Sequence, residues 1–155
     1  MSTDVDFDLI AKSMGTAVPF INHLGIEVTA MAEGEATALL PERPELMNHV
    51  GSQHAGGLFS VAETASGAAF VGAFALRMGD LTPLARSGQI TYVKVARGPI
   101  EAKAKLGVPA EEALAKLDAE GRIDFSVEVA LTDGEGDTVA TATVDWNVRL
   151  KTPDA

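Results

Sequence analysis

One carboxylate interrupts the most apolar stretch of the chain. Residues 55–76 contain a single ionisable side chain, Glu63. A carboxylate removed from water is costly to keep charged, so it requires hydrogen-bond partners or a functional reason, and its pKa rises above the ordinary value. A glutamate on a surface helix is simply solvated, but that explanation does not suit a stretch this apolar. We therefore interpret Glu63 as a functional residue.

The residues that share a helix face with Glu63 are small or polar. Spacings of four, three and four place this set on one line along a helix: Gly56, Ser60, Glu63 and Gly67. Because no bulky side chain occupies the line, another group can approach it closely. A second copy of the chain is one such group.

A polar segment precedes this helix and ends in two glycines, Gly56 and Gly57. The first amides of a helix lack intrahelical acceptors and carry the positive end of the dipole, so they form a receptor for a developing oxyanion. Alternatively, the glycines only permit tight packing. Within the segment, Asn48 either holds a water or substrate carbonyl or closes an Asx turn. His54 either orients a ligand or is an ordinary loop histidine.

Alternation of apolar and polar residues predicts six strands in three hairpins. The first hairpin covers residues 24–40, and the third, with the most regular alternation, joins residues 123–131 to 140–150 around a turn at 133–137. A strand from about Ile90 and a strand over residues 100–106 form the predicted second hairpin.

Residues 55–76 are long enough to cross a bilayer, but their glycines, hydroxyls and carboxylate favour a buried core helix. A short amphipathic helix is predicted over 108–120 on the surface, and a helical or loop segment over 1–20. Antiparallel hairpins around one apolar helix indicate an α+β fold, with a curved antiparallel sheet wrapped around that helix in a single domain, 1–155.

Composition excludes several classes of function. Acidic residues outnumber basic ones by 22 to 12, so we expect no nucleic-acid partner. The absence of cysteine excludes disulfides, thiolate nucleophiles and cysteine metal sites, and His49 with His54 lacks a third ligand, so no metal is expected. An acidic N-terminus does not resemble a signal peptide, which favours a cytoplasmic protein without a membrane segment.

The segment around Glu63 resembles the signature of PaaI-type hotdog-fold thioesterases, in which an Asn-x-x-Gly-x-x-His-x-Gly turn leads into a helix with a carboxylate. The matching residues are Asn48, Gly51, His54, Gly56, Gly57, Phe59, Ala62, Glu63, Ser66 and Gly67. The strand order from Leu24 to about Leu150 also agrees with a hotdog domain. Two departures, Ala55 for a usual glycine and Glu63 for the aspartate of the phenylacetyl-CoA branch, indicate an uncharacterised branch.

The resemblance implies hydrolysis of a small or medium acyl thioester of coenzyme A or of an acyl carrier protein, with Glu63 as general base or nucleophile. The acidity of the chain favours coenzyme A, because an acyl carrier protein is itself acidic. It also implies that the Gly57 amide polarises the carbonyl and that Asn48 and His54 orient substrate or water. We expect further substrate contacts from Gly56, Ser60, Ser66, Gly67 and Phe59, and contacts to coenzyme A phosphates from Lys94 and Arg97. No cofactor is expected beyond the coenzyme A of the substrate.

The resemblance further implies a homodimer or homotetramer with active sites at the subunit interface. Three alternatives remain open from the sequence. The chain could bind an acyl thioester without turnover, as a sensor or carrier. It could also be a hydratase using His54 and Glu63, or an interaction module with no chemistry.

Overall fold

A computed structural model describes residues 4–153, and this part of the chain folds into four α-helices and six strands. The helices are α1 (Phe7–Ala17), α2 (Pro19–Leu24), α3 (Ala55–Phe74) and α4 (Ala110–Glu120). The strands are β1 (Glu27–Ala32), β2 (Glu35–Leu40), β3 (Leu81–Tyr92), β4 (Ile100–Leu106), β5 (Arg122–Thr132) and β6 (Thr138–Leu150).

The strands form one antiparallel sheet in the order β1-β2-β4-β5-β6-β3. The predicted α+β class, the curved sheet and the first and third hairpins are confirmed: β1 pairs with β2, and β5 pairs with β6. The first strand begins at Glu27 rather than near Leu24, because Leu24 ends α2 and Gly25 follows with a φ of 72°. A positive φ is readily adopted by glycine and stops the helix at this point.

The predicted second hairpin is wrong. β3 pairs with β6 along its whole length, from Leu81 opposite Leu150 to Tyr92 opposite Ala140, while β4 lies between β2 and β5. Alternation identifies a strand but not its partner, since any exposed edge can accept it. β3 also begins at Leu81, well before Ile90, and its exposed residues hide the alternation.

Helix α3 fills the concave side of the sheet and is the predicted core helix. Together with the 3₁₀ segment that follows it, α3 is long and apolar enough to cross a membrane. However, 67% of its most apolar 18-residue stretch is buried inside the domain. It lies so close to β1 that a Cβ added at Gly72 would be 2.2 Å from the carbonyl oxygen of Ala32. Its apolar character is therefore explained by burial against the sheet.

The two smaller predicted helices are also present. α1 is capped by Asp6, whose carboxylate accepts the amide of Leu9 at 2.9 Å, and it ends at Ala17, within the segment predicted over 1–20. α4 covers the sheet surface with Ala113 and Leu117 buried, as its amphipathic pattern predicts.

Candidate active site

The start of α3 is capped by His54. Its Nδ1 atom accepts the amide of Gly56 at 2.8 Å, and its carbonyl oxygen accepts the amides of Gly57 at 3.0 Å and Leu58 at 3.1 Å. The sequence predicts free amides at Gly56 and Gly57, and in this structure neither is free. Because Nδ1 is the acceptor, the neutral imidazole carries its proton on Nε2.

The free donor at the helix start is one residue earlier. Across residues 4–153, the Ala55 amide makes no hydrogen bond. Ala55 is exposed, and its carbonyl accepts the hydroxyl of Tyr92 at 3.3 Å. The sequence reasoning did not identify this amide, because which of the first helical amides is capped depends on the side chain of His54.

An open, mainly apolar cleft of about 540 Å³ lies against the start of α3. It brings together five predicted site residues: His54, Gly56, Gly57, Phe59 and Ser60. It also includes residues that the sequence reasoning missed: Phe20, Leu24, Glu45, Leu46, Ala55 and Tyr92. These residues come from distant parts of the chain, so only the fold unites them.

Glu63 lies farther along the same side of α3 and is half-buried. Within the described part of the chain, no donor reaches its carboxylate, and burial raises the pKa of this group above its usual value. Eight residues separate it from Ala55, which corresponds to about 12 Å along a helix axis. One copy of the chain therefore does not place the carboxylate beside the free amide.

The small residues near Glu63 are covered from within the same chain. The indole of Trp146 packs over Gly67, where an added Cβ would be 3.7 Å from Cζ2. Ser66 is fully buried; its hydroxyl donates to the Glu63 carbonyl at 2.7 Å and accepts from Trp146 Nε1 at 3.3 Å. Ser60 donates to the Gly56 carbonyl at 2.7 Å. These contacts stiffen the helix beside the carboxylate.

The comparisons with known proteins give the family. A family model described as a domain of unknown function, DUF4442, matches residues 8–148. The chain belongs to this family. A search of curated proteins finds no significant match.

Solved structures show that this member of the DUF4442 family has a hotdog fold. A probable thioesterase from Pseudomonas aeruginosa, itself of unknown function, is 24% identical with a TM-score of 0.83, covering 95% of this chain and 97% of that one. A thioesterase family protein from Silicibacter pomeroyi is 18% identical with a TM-score of 0.74, covering 94% and 99%. The Escherichia coli PaaI protein from the phenylacetic acid degradation operon is 21% identical with a TM-score of 0.68, covering 94% of each chain. The predicted resemblance to PaaI is thereby confirmed for the fold.

Two polar side chains hold the loop that leads into α3. Asn48 accepts two backbone amides on Oδ1, including that of Ser52, and donates to the Ser52 hydroxyl at 2.8 Å. This is the Asx-turn arrangement left open by the sequence. Gln53 is buried and donates to the carbonyls of Pro41 and Gly98. The loop, and with it the His54 cap, is thus tied to the ends of β2 and β4.

The two predicted phosphate-binding cations differ. Lys94 Nζ donates to Asp137 and lies 4.0 Å from Asp133 in the β5–β6 turn, and the hydrogen bond to Asp137 raises the pKa of the lysine. Arg97 is exposed and makes no ion pair with any residue in the described range. Neither residue lines the cleft. Arg97 is therefore the cation that remains available.

A second groove, of about 460 Å³, lies on the sheet face opposite α3. Its centre is Asp145, which accepts the hydroxyls of Ser126 and Ser87 at 2.6 Å each, and these bonds hold the pKa of Asp145 below its usual value. The sheet separates this groove from Glu63, and its carboxylate is already satisfied by hydroxyls. It does not contribute to the site on α3.

Proposed function

We propose that this protein is an acyl-CoA thioesterase in which Glu63 and backbone amides at the start of α3 act on the thioester. The observation that carries the proposal is Glu63 itself, a half-buried carboxylate of raised pKa with no donor from the described chain. The apolar cleft and the free Ala55 amide support it. The solved relatives described as thioesterases point in the same direction.

The proposed active site is completed by a second copy of the chain. About 12 Å of helix separates Glu63 from the Ala55 amide, so we place the carboxylate of one subunit beside the helix start of another. β3 is an edge strand with one unpaired side, and an unpaired edge readily adds a strand. Exposed apolar side chains lie on it and just beyond it, at Leu84, Tyr92, Val93 and Val95. A homodimer is the smallest assembly that satisfies this geometry, and a homotetramer contains it.

In this mechanism, ionised Glu63 removes a proton from water as the water oxygen attacks the thioester carbonyl carbon. The developing oxyanion is stabilised by the amide of Ala55, and by that of Gly57 if its contact with the His54 carbonyl opens. Collapse of the intermediate breaks the carbon–sulfur bond, and the thiolate of coenzyme A leaves and takes up a proton. Direct attack by Glu63 is the alternative route, through a mixed anhydride that water then cleaves.

The remaining residues position the substrate in this proposal. The cleft residues Gly56, Phe59 and Ser60 contact the acyl group, while Arg97 contacts a phosphate of coenzyme A. Asn48 holds the loop that leads into α3, so we propose that it orients substrate or water through the position of this loop and not by touching them. We propose coenzyme A rather than an acyl carrier protein, because a chain with net charge −10 repels an acidic protein. The proposed location is the cytoplasm, with no nucleic acid, membrane, metal or cofactor involved.

The decisive experiment is Glu63→Gln, assayed with a panel of acyl-CoAs and a thiol-trapping dye. Loss of a positioned base lowers kcat by about 10²–10⁴-fold, while the circular dichroism spectrum should remain that of the wild type. Glu112→Gln is the matched control, because Glu112 is an exposed glutamate in the first turn of α4 and does not line the cleft; its rate should change little. Wild-type rates from Glu63→Gln would contradict the proposal.

Ala55→Pro tests the amide separately. Proline is favoured at the first position of a helix and removes the donor, and the extended ψ of 142° at His54 suits the residue before a proline. Loss of one oxyanion donor lowers kcat by about 10²–10³-fold. Ala110→Pro, at the first position of α4, is the matched control. If Ala55→Pro is fully active, Ala55 is not the donor and the amide of Gly57 is the remaining candidate.

A second candidate function is binding of an acyl thioester without turnover, as a sensor or carrier. One observation favours it: the amides of Gly56 and Gly57 are already paired with His54. Calorimetry that detects tight acyl-CoA binding while the dye detects no thiol would support this function over hydrolysis.

A further inference from the structure

The ring of Phe59 stands between the apolar cleft and Glu63. Phe59 follows Ala55 by one helical turn and precedes Glu63 by one turn, so all three share one side of α3. Phe59 lines the cleft, whereas Glu63 does not. The ring is 36% exposed, so it forms a boundary of the cleft instead of belonging to the closed core.

The Phe59 ring packs against a strand residue that has no side chain, Gly88. Gly88 of β3 pairs with Val144, whose side chain is in the core, so both face α3. A Cβ added at Gly88 would be 2.8 Å from Phe59 Cζ, closer than such atoms approach. Gly88 is absent from the glycines with positive φ, so its backbone conformation does not require glycine. The absence of a side chain at Gly88 therefore leaves the room that the Phe59 ring occupies.

The chemistry of the cleft selects the acyl end of a substrate. Its walls include Phe20, Leu24, Leu46 and Phe59, and its carboxylate, that of Glu45, repels the phosphates of coenzyme A. Binding of an aliphatic chain becomes more favourable with each methylene that enters such a cleft. The position of the Phe59 ring then decides how many methylenes can enter.

We propose that Phe59, seated on Gly88, is a specificity-determining residue that limits the length of the acyl chain. This proposal rests on the proposed thioesterase function and adds the basis of its substrate selection. Removing the ring enlarges the cleft by the volume that the ring occupies, so longer chains become substrates. A Cβ at Gly88 displaces the ring and changes the chain-length profile through Phe59 alone.

The test is kcat/KM for straight-chain acyl-CoAs from acetyl to palmitoyl. For Phe59→Ala we expect an optimum at longer chains, with a gain of about fourfold in kcat/KM for each additional methylene accommodated. Phe59→Leu should give an intermediate profile, and it carries the test if the alanine variant does not fold. Leu76→Ala is the control, because Leu76 is also a large apolar residue, 68% exposed, beyond the other end of α3; its profile should match the wild type.

A double-mutant cycle with Gly88→Ala separates this role from general packing. Gly88→Ala should change the profile of the wild type and should have no effect in the Phe59→Ala background. An unchanged optimum in Phe59→Ala and Phe59→Leu, with a uniform loss of kcat/KM, would overturn the proposal and leave the thioesterase function standing. A wild type that hydrolyses none of the acyl-CoAs would overturn both.

Discussion

The two flanks of α3 differ in how completely the sheet covers them. On the flank facing β1, β2 and β4, Val61, Ala62 and Ala65 are fully buried, and Gly72 lies against the carbonyl of Ala32. The opposite flank carries Phe59, whose ring lies against Gly88 of β3, and Glu63 one turn later, and both side chains remain partly accessible. One helix thus combines a closely packed flank with an open flank that carries the residues of the proposed chemistry.

The largest expected effect comes from crowding the covered flank. In Gly72→Ala the added methyl group would meet a backbone carbonyl at 2.2 Å, and backbone cannot move aside as a side chain can. We expect the free energy of unfolding to fall by about 3 kcal/mol or more, measured by urea denaturation at fixed protein concentration.

Gly15→Ala is the matched control for this substitution. Gly15 lies inside α1 with nothing within 4 Å of an added Cβ, so alanine should stabilise the protein by about 0.5–1 kcal/mol. If Gly72→Ala were as stable as the wild type, the close approach of α3 to β1 would be wrong.

A smaller effect is expected where the two flanks meet, at the His54 cap. His54→Ala removes the acceptor for the Gly56 amide and should cost about 1 kcal/mol of stability. His54→Asn keeps an acceptor and should retain most of that stability. Acyl-CoA hydrolysis by the two variants distinguishes two roles for His54. If His54→Asn keeps both stability and activity while His54→Ala loses both, His54 positions the helix start. If both variants lose activity, His54 contacts the substrate directly.

The smallest expected effect is a pH dependence of stability on the open flank. Burial raises the pKa of Glu63 in the folded protein above the ordinary value of 4.5, so the folded state holds the proton more tightly than the unfolded state. Ionisation therefore destabilises the protein. Glu63→Gln should gain stability over the wild type as pH rises above 4.5 and level off above the raised pKa.

Urea denaturation of both proteins across acidic to neutral pH measures this difference. Below the ordinary pKa both states of the wild type are protonated, so the difference between the two proteins should reach its minimum there. A difference that did not vary with pH would mean that Glu63 is solvated, and it would remove the main support for a functional carboxylate.

The same contrast explains what the sequence could predict. Burial in the core requires alternating apolar residues in β5 and β6 and a long apolar run, with a single ionisable residue, in α3, so these elements and the fold class were predictable. Glu63 was predictable because it is the exception in that run. β3 was assigned the wrong partner because its residues are mostly exposed and a local pattern does not encode which edge it joins.

The finer geometry of the site could not be predicted for a different reason. The His54 side chain decides which helical amide stays free, through a contact of 2.8 Å that residue types alone do not specify. Tyr92 and Phe20 reach the cleft from remote positions in the chain. The turn role of Asn48 was one of two alternatives, and residue type alone could not choose between them.

The position of β3 in the sheet also has a consequence during protein synthesis. Within the described residues β3 pairs with β6 alone, and the last residue of β6 is Leu150, so this pairing cannot be completed until residue 150 has left the ribosome. Until then the nascent α3 segment, the most apolar part of the protein, can be covered by β1, β2, β4 and β5 but not by Trp146 of β6, which packs over Ser66 and Gly67. Delayed long-range pairing of this kind exposes apolar surface to aggregation, so we expect recombinant yield to depend on slow translation or on chaperones.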